Sequence, residues 1–237
     1  MKVTLTRITN DPVLAIEEAA SNCYNSVPSE DGKILKHCVS SGHTSVTEFC
    51  TFTFHIEGVS RALLAQLTRH RHAGYAVRSQ RYCNEDGFGY VTPPQCKNNH
   101  RLGSIYDSMM ENIQTYYNQL IEEGLPNEDA RMVLPNACET IIEVTMNLRA
   151  LMNFFNERLC TCAQWEIRQL AQEMKRLIVN EVPQFEPYCV PKCEKYGKNL
   201  GFCMESPKRT CGKHPRLVDI YDIYNKAVEL NKENNNG

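Results

Sequence analysis

Arg69-His70-Arg71 and Ser79-Gln80-Arg81 stand seven residues apart, within a stretch that could hold a polyanion. From Gly58 to Asn84 the chain carries five arginines (Arg61, Arg69, Arg71, Arg78, Arg81), two histidines, and no Asp, Glu or Lys. The whole chain of 237 residues has 26 basic against 28 acidic side chains, so this positive charge is local. Guanidinium groups without carboxylates in their own segment repel one another until something anionic arrives, and their forks match phosphate oxygens in bidentate geometry. The stretch therefore predicts a pocket for a phosphorylated small molecule. The competing reading is a solvated or nucleic-acid-facing surface. Against it, the charges lie between a Leu-rich segment and Tyr82, and arginine is used to the exclusion of lysine. Ser79 lacks the Gly-x-Ser-x-Gly turn and the His/Asp partner pattern of a nucleophile, and reads instead as a hydroxyl donor to phosphate.

The cysteines are the other chemically capable set. Eight of the twelve (Cys23, Cys38, Cys50, Cys83, Cys96, Cys138, Cys160, Cys162) are scattered beside apolar residues and read as small core hydrophobes. Cys83, beside the arginines, is read as structural. Cys189, Cys193, Cys203 and Cys211, with His214 close behind, offer enough soft ligands for a structural zinc but lack a Cys-x-x-Cys knuckle. Zinc, free thiols and disulfides stay open for that cluster, and no metal is assigned.

These residues need elements to position them. Val3 to Ile8 alternates like a strand, and Asp11-Pro12 pairs a capping residue with Pro at the first position of a helix reaching Tyr24. Asp31 to Ser41 reads as a helix stopped by Gly42. Thr47 to Ile56 alternates β-formers and predicts a long strand broken by Gly58. Val59 to Thr68 is a short helix with Leu63, Leu64 and Leu67 on one face and Gln66 and Arg69 on another, and it leaves the Arg/His segment as a loop. Tyr90 to His100 reads as irregular. Ser104 to Glu123 is amphipathic at helical spacing, and Asn127 caps a helix that stops at Pro135. Glu139 to Thr145 is a strand, helices cover Leu148 to Leu159 and Ala163 to Val182, a polar helix covers Val218 to Asn231, and Asn234 to Gly237 is a frayed tail. This order lacks regular βαβ alternation and predicts an α+β fold.

Composition closes off several classes. Apolar content of 42% with 23% charged residues suits one globular domain with an appendage. Near-neutral net charge argues against nucleic acid as a partner. No run approaches the ~18 apolar residues that span a bilayer, and Met1 to Arg7 lacks an apolar signal core, so no membrane association and a cytoplasmic location are expected.

The spacing Arg-His-Arg, seven residues, Ser-x-Arg resembles the signature of the flavin-dependent thymidylate synthases, with all five fixed positions filled by Arg69, His70, Arg71, Ser79 and Arg81. Gly42-His43-Thr44-Ser45-Val46-Thr47-Glu48 is similar to that family's Gly-His-x-Ser-x-x-Glu segment. Gln66 stands three before Arg69 as in the family. Ala130-Arg131-Met132-Val133-Leu134-Pro135, Asn147 through Asn153, and Arg158 through Ala163-Gln164-Trp165-Glu166-Ile167 also match. The chain departs at Phe49, where the family usually has His, at His72, and at Gly74, Ala76 and Val77, where many members are polar or acidic.

That resemblance implies a compact α+β domain over residues 1–188, with a mostly antiparallel or mixed sheet flanked by helices; the Cys-rich extension with a C-terminal helix, over 189–237, lies outside it. It implies a cytoplasmic homotetramer, with active sites shared between subunits, that makes dTMP from dUMP. Methylenetetrahydrofolate gives the carbon and NADPH-reduced FAD the hydride, without a cysteine nucleophile. By resemblance Gln66, Arg69, Ser79, Gln80, Arg81, Arg131 and Arg158 bind dUMP, Arg131 being offered by a neighbouring subunit. Arg158 also polarises the uracil ring as the catalytic residue. His43, Ser45, Arg69, His70, Arg71, His72, Asn147, Arg149 and Asn153 serve FAD. The alternative is a non-catalytic nucleotide or nucleic-acid binder with a zinc-binding tail.

Overall fold

The structure, a computed structural model, describes residues 1–194 and 201–235. In chain order its elements are β1 (Lys2–Ile8), α1 (Pro12–Tyr24), α2 (Lys33–Ser40), β2 (Thr51–Ser60), α3 (Arg61–Leu67), β3 (Ala73–Val77), α4 (Pro94–Lys97), α5 (His100–Glu122), α6 (Asn127–Ala130), β4 (Glu139–Asn147), α7 (Leu148–Arg158), α8 (Trp165–Glu181) and α9 (Leu217–Asn235), with 3₁₀ turns between several of them. The α+β reading stands. Among the described residues no helix is long and apolar enough to cross a membrane.

The chain groups into two compact units. The first takes Met1–Ile8 and Phe52–Met146 and contains the four-stranded sheet, in the order β1-β2-β4-β3, with both outer pairs antiparallel. Period-two alternation carries it: Phe52, Phe54 and Ile56 of β2 and Ile142, Val144 and Met146 of β4 are buried, and the residues between them are not. A second small core of Phe88, Met110 and Cys138 lies under α5. The other unit takes Thr9–Thr51 and the residues from Asn147 onward. Its core is Ile16, Leu35, Val39, Leu151, Phe154, Phe155, Leu170, Met174 and Phe185. The buried carboxylate of Glu17 accepts from Leu35 N at 2.7 Å and from Ser29 N and Oγ, tying α1 to the start of α2.

Several sequence expectations are corrected. Thr44–Phe49 is a 3₁₀ turn, so β2 begins at Thr51 rather than Thr47. Gly58 does not break β2: it takes φ +65 inside the strand, where an added Cβ would lie 3.2 Å from Met1 N. The centre of the Arg/His loop is strand β3, paired with β4 from Ala73↔Met146 to Val77↔Ile142. Pro94–Lys97 is helical within the stretch read as irregular, and α5 begins at His100, capped by Asn99 Oδ1 accepting from Leu102 N at 3.2 Å. Asp11 sits at the N-cap of α1 with φ +45 and no side-chain cap, its carbonyl accepting from Ala15 N. Pro126, not Asn127, occupies the N-cap of α6. Asn234 and Asn235 belong to α9, and Asn236 and Gly237 lie outside the described residues.

Candidate functional site

In the first unit, Ser60 starts α3 by accepting from Leu63 N at 3.0 Å, and buried Leu63 and Leu67 fix the helix on the core. That packing delivers Gln66 near its end and Arg69-His70-Arg71 just beyond it. The turn is clamped by Tyr75 of β3, whose hydroxyl lies 2.8 Å from Leu67 O and 2.9 Å from His70 O, with its one proton shared between them. Burial pushes the Tyr75 phenol up to about 12, so it stays a donor throughout the physiological range. Arg69, Arg71 and His72 are exposed, and among the described residues none of the three has an ion-pair partner.

The other arginines are not unpartnered, as the acid-free segment suggested. Carboxylates from outside Gly58–Asn84 reach them. Arg78 Nε stands 3.4 Å from Glu85 Oε1, whose oxygen is buried without a full hydrogen bond. Arg81 donates through Nε and Nη2 to Glu128 Oε2, at 3.0 and 2.9 Å, and stacks 5.5 Å over the Tyr82 ring. Arg131 Nε donates to the carbonyl of the same Glu128 at 3.0 Å. One residue of α6 thus gathers two arginines fifty positions apart in sequence. Burial lowers the pKa of Arg61, the Glu85 carboxylate opposes this, and the charges of Arg131 and Arg78 act with burial. Ser79 Oγ accepts from Arg81 N at 3.3 Å, shaping the turn that presents both residues. The Gln80 carboxamide is buried and donates to Cys138 Sγ at 3.5 Å, so its side chain anchors this turn to the core.

In the second unit, α2 ends as the Gly42 stop requires. With φ +86 at Gly42, Gly42 N donates to Val39 O at 3.1 Å and His43 N to Cys38 O at 2.8 Å, the double bond of a Schellman end. His43 and Ser45 emerge exposed, while Val46 and Thr47 bury the same turn. Glu48 of this turn accepts from Arg149 Nη1. That ion pair spans 101 positions and joins the segment of His43 and Ser45 to that of Asn147, Arg149 and Asn153. Asn147 caps α7, its Oδ1 accepting from Ala150 N at 2.9 Å, which leaves its amide protons to donate elsewhere. Helix α7 is buried along most of its circumference. Arg149, Asn153 and Glu157, four apart, form its exposed stripe, and half-buried Arg158 ends it. The following turn is held by Arg168 Nη1 donating to Thr161 O at 2.8 Å.

Burial pushes the thiols of Cys138 up to about 11 and of Cys50 and Cys189 up to about 12, so all three are protonated at neutral pH. Of the late cysteines, Cys193, Cys203 and Cys211 line one cavity, but their sulfurs are not gathered within 4.8 Å of one another as the zinc reading required. Cys189 is fully buried, and His214 Nε2 faces Glu194 at 3.6 Å. Among the described residues, the group of potential ligands with atoms mutually within 4.8 Å is Cys160, Cys162 and Glu205. Of the eight cysteines read as core hydrophobes, Cys38, Cys50 and Cys138 are buried, whereas Cys83, Cys96, Cys160 and Cys162 are half-buried and Cys23 is exposed. Sequence reasoning also missed Tyr75, Glu85 and Glu128 as partners of the basic residues. Glu128 was legible only as a carboxylate three residues before Arg131.

The Thy1 family model, described as thymidylate synthase complementing protein, matches residues 4–184. The chain is 40% identical to a flavin-dependent thymidylate synthase of Clostridium tetani, an alignment covering 93% of this chain and 97% of that one. It is 43% identical to one of Geobacter sulfurreducens, covering 93% and 98%. A crystal structure of thymidylate synthase X from Helicobacter pylori, with FAD and dUMP, superposes with a TM-score of 0.67 over 80% of this chain and 99% of that one. At 23% identity this likeness speaks for the fold.

Proposed function

The chain belongs to the flavin-dependent thymidylate synthase family, and from that membership we propose that it converts dUMP to dTMP, with FAD as bound cofactor, methylenetetrahydrofolate as carbon donor and NADPH as reductant, in the cytoplasm. The observation that carries this reading is the gathering of Arg81 and Arg131 on Glu128 beside Ser79. A carboxylate occupying an arginine fork marks where a phosphate monoester would exchange for it, because both anions meet the same donor geometry. Gln66, Arg69, Ser79, Arg81 and Arg131 bind dUMP in this scheme, and Gln80 supports the turn from within. Because Arg131 and Arg81 are held to one residue of one chain, whichever protomer of a homotetramer offers Arg131 to a neighbour's site offers Arg81 with it.

The residues also fit a dinucleotide cofactor. Arg69 and Arg71 are exposed cations without ion-pair partners among the described residues, as a pyrophosphate requires. His70 and His72 complete that loop. His43, Ser45, Asn147, Arg149 and Asn153 supply hydroxyl, amide, imidazole and guanidinium donors from two segments joined by the Glu48–Arg149 pair. When bound, FAD supplies the redox chemistry that no side chain offers. Arg158, at the end of α7, holds the uracil carbonyl edge and stabilises charge developing on the ring. The protonated thiols of Cys50, Cys138 and Cys189 accord with a route that uses no cysteine nucleophile.

The test is spectroscopic. Protein reconstituted with FAD is treated anaerobically with NADPH, with and without dUMP, and then given methylenetetrahydrofolate. Flavin that bleaches, followed by dTMP, is the expected result. Protein that binds no flavin, or bleaches without forming dTMP, would overturn the reading, and salt-dependent nucleic-acid affinity in its place would favour a non-catalytic binder.

A further inference from the structure

The turn between α7 and α8 carries Cys160-Thr161-Cys162, and Glu205 of the C-terminal extension meets it. The two sulfurs and a carboxylate oxygen lie mutually within 4.8 Å. A cavity of about 300 Å³ opens here, lined by Cys160, Glu205 and three further cysteines, Cys193, Cys203 and Cys211. Nothing in the proposed thymidylate chemistry uses this cluster. We propose that Cys160, Cys162 and Glu205 bind a thiophilic divalent cation of the zinc class, with a cysteine of the shared cavity as fourth ligand.

Ligand type and spacing both favour such an ion. Thiolates select zinc-like cations over magnesium or calcium, and two thiolates and a carboxylate, completed by a thiolate from the same cavity lining, make a tetrahedral set. Zinc–sulfur bonds of about 2.3 Å place tetrahedral thiolates about 3.8 Å apart. Ligand atoms already inside 4.8 Å reach that spacing by side-chain rotation alone. Charge is also provided for. Three thiolates and a carboxylate around a divalent ion leave two net negative charges, and Lys192 Nζ stands 3.0 Å from Glu205 Oε1 and Arg209 Nε 4.0 Å from Glu205 Oε2. Cys162 Sγ now donates to Arg209 O at 3.2 Å, and that proton leaves when the metal binds. The backbones carrying the ligands are held independently: Ala163 N donates to Cys160 O at 3.0 Å, and Cys203 N to Pro215 O at 2.8 Å. The ion would tie the extension to the turn that directly follows Arg158.

Cobalt(II) is the probe, titrated into the full chain anaerobically under a non-chelating reductant. The expected result is thiolate-to-cobalt charge-transfer absorption with tetrahedral visible bands, saturating at one ion per chain. The C160S/C162S double variant loses both features, whereas C23S, at an exposed cysteine of α1, keeps them. Should the double variant fail to fold, Glu205→Gln serves in its place and weakens cobalt binding by more than about tenfold. Cobalt bound by the wild type without charge transfer would overturn the proposal. So would charge transfer that survives in the folded double variant, or unchanged affinity in Glu205→Gln.

Discussion

Tyr75 holds two consecutive backbone turns with a single hydroxyl, and the Arg69-His70-Arg71 segment depends on it. Tyr75→Phe keeps the ring and removes only the donor, so the turn loses one hydrogen bond while Leu67 O still accepts from His70 N at 3.1 Å, at a cost of about 0.5–1.5 kcal/mol. Melting should therefore move down by a few degrees, and FAD, titrated by flavin fluorescence, should bind several-fold more weakly. Unchanged flavin affinity in a destabilised variant would mean that the clamp serves stability alone. Arg158 is the contrasting case, a residue argued to act on the ring and not on the cofactor. Arg158→Ala should lower dTMP formation by at least about 10²-fold, the scale of one lost charge-stabilising donor, while the flavin spectrum persists. Retained turnover would remove Arg158 from the chemistry. Asn147 sits between these extremes: its oxygen is committed to capping α7, so only its amide protons remain for a ligand.

The long, locally regular elements were legible in the sequence because periodicity and end signals agreed, as with Pro12 opening α1 and Gly42 closing α2. What stayed hidden depends on partners far along the chain. Gly58 reads as a breaker by propensity, yet β1 pairs Lys2 with Glu57 beside it, and β2 continues through a left-handed residue. Ala73–Val77 carries weak strand propensity with Gly74 and two alanines, and is a strand because β4 lies beside it. The same holds for the arginines, whose partners Glu128 and Glu48 come from elements no local pattern could place. Gly103 shows the reverse, a local rule that tertiary contact overturns. Ala in a helix is worth about 1 kcal/mol over Gly, but a Cβ at Gly103 in α5 would meet Cys96 O of α4 at 2.9 Å. Gly103→Ala should thus destabilise, by about 1–3 kcal/mol, and lower Tm by several degrees in a thermal scan. A raised Tm would show that α4 yields freely.

At the scale of the whole molecule, the chain leaves apolar surface that a lone copy has no use for. On α5, Leu102, Ile105, Met109 and Tyr116 follow helical spacing and are 44% to 62% exposed, while Met110 and Tyr117, about 100° around the helix, are buried. Met132, adjoining Arg131, is 80% exposed. Contiguous apolar stripes of this kind mark interfaces, and a homotetramer that shares its sites needs one near the residues it exchanges. Met109→Glu introduces a charge in the middle of the α5 stripe, where the side chain is more than half exposed in the single chain and no core packing is at stake. If the stripe joins copies of this chain, burying that carboxylate is costly. The variant should then sediment as a smaller species than the unaltered protein at the same concentration. Its melting as a single chain should change little, since the substitution is at a surface position. Activity separates the two parts of the argument. Where Arg131 and Arg81 are supplied across the interface, dTMP formation should fall with the fraction dissociated and recover at high protein concentration. A variant that keeps the native assembly would remove α5 from the interface. One that dissociates yet turns over at the full rate would place every dUMP contact within a single chain.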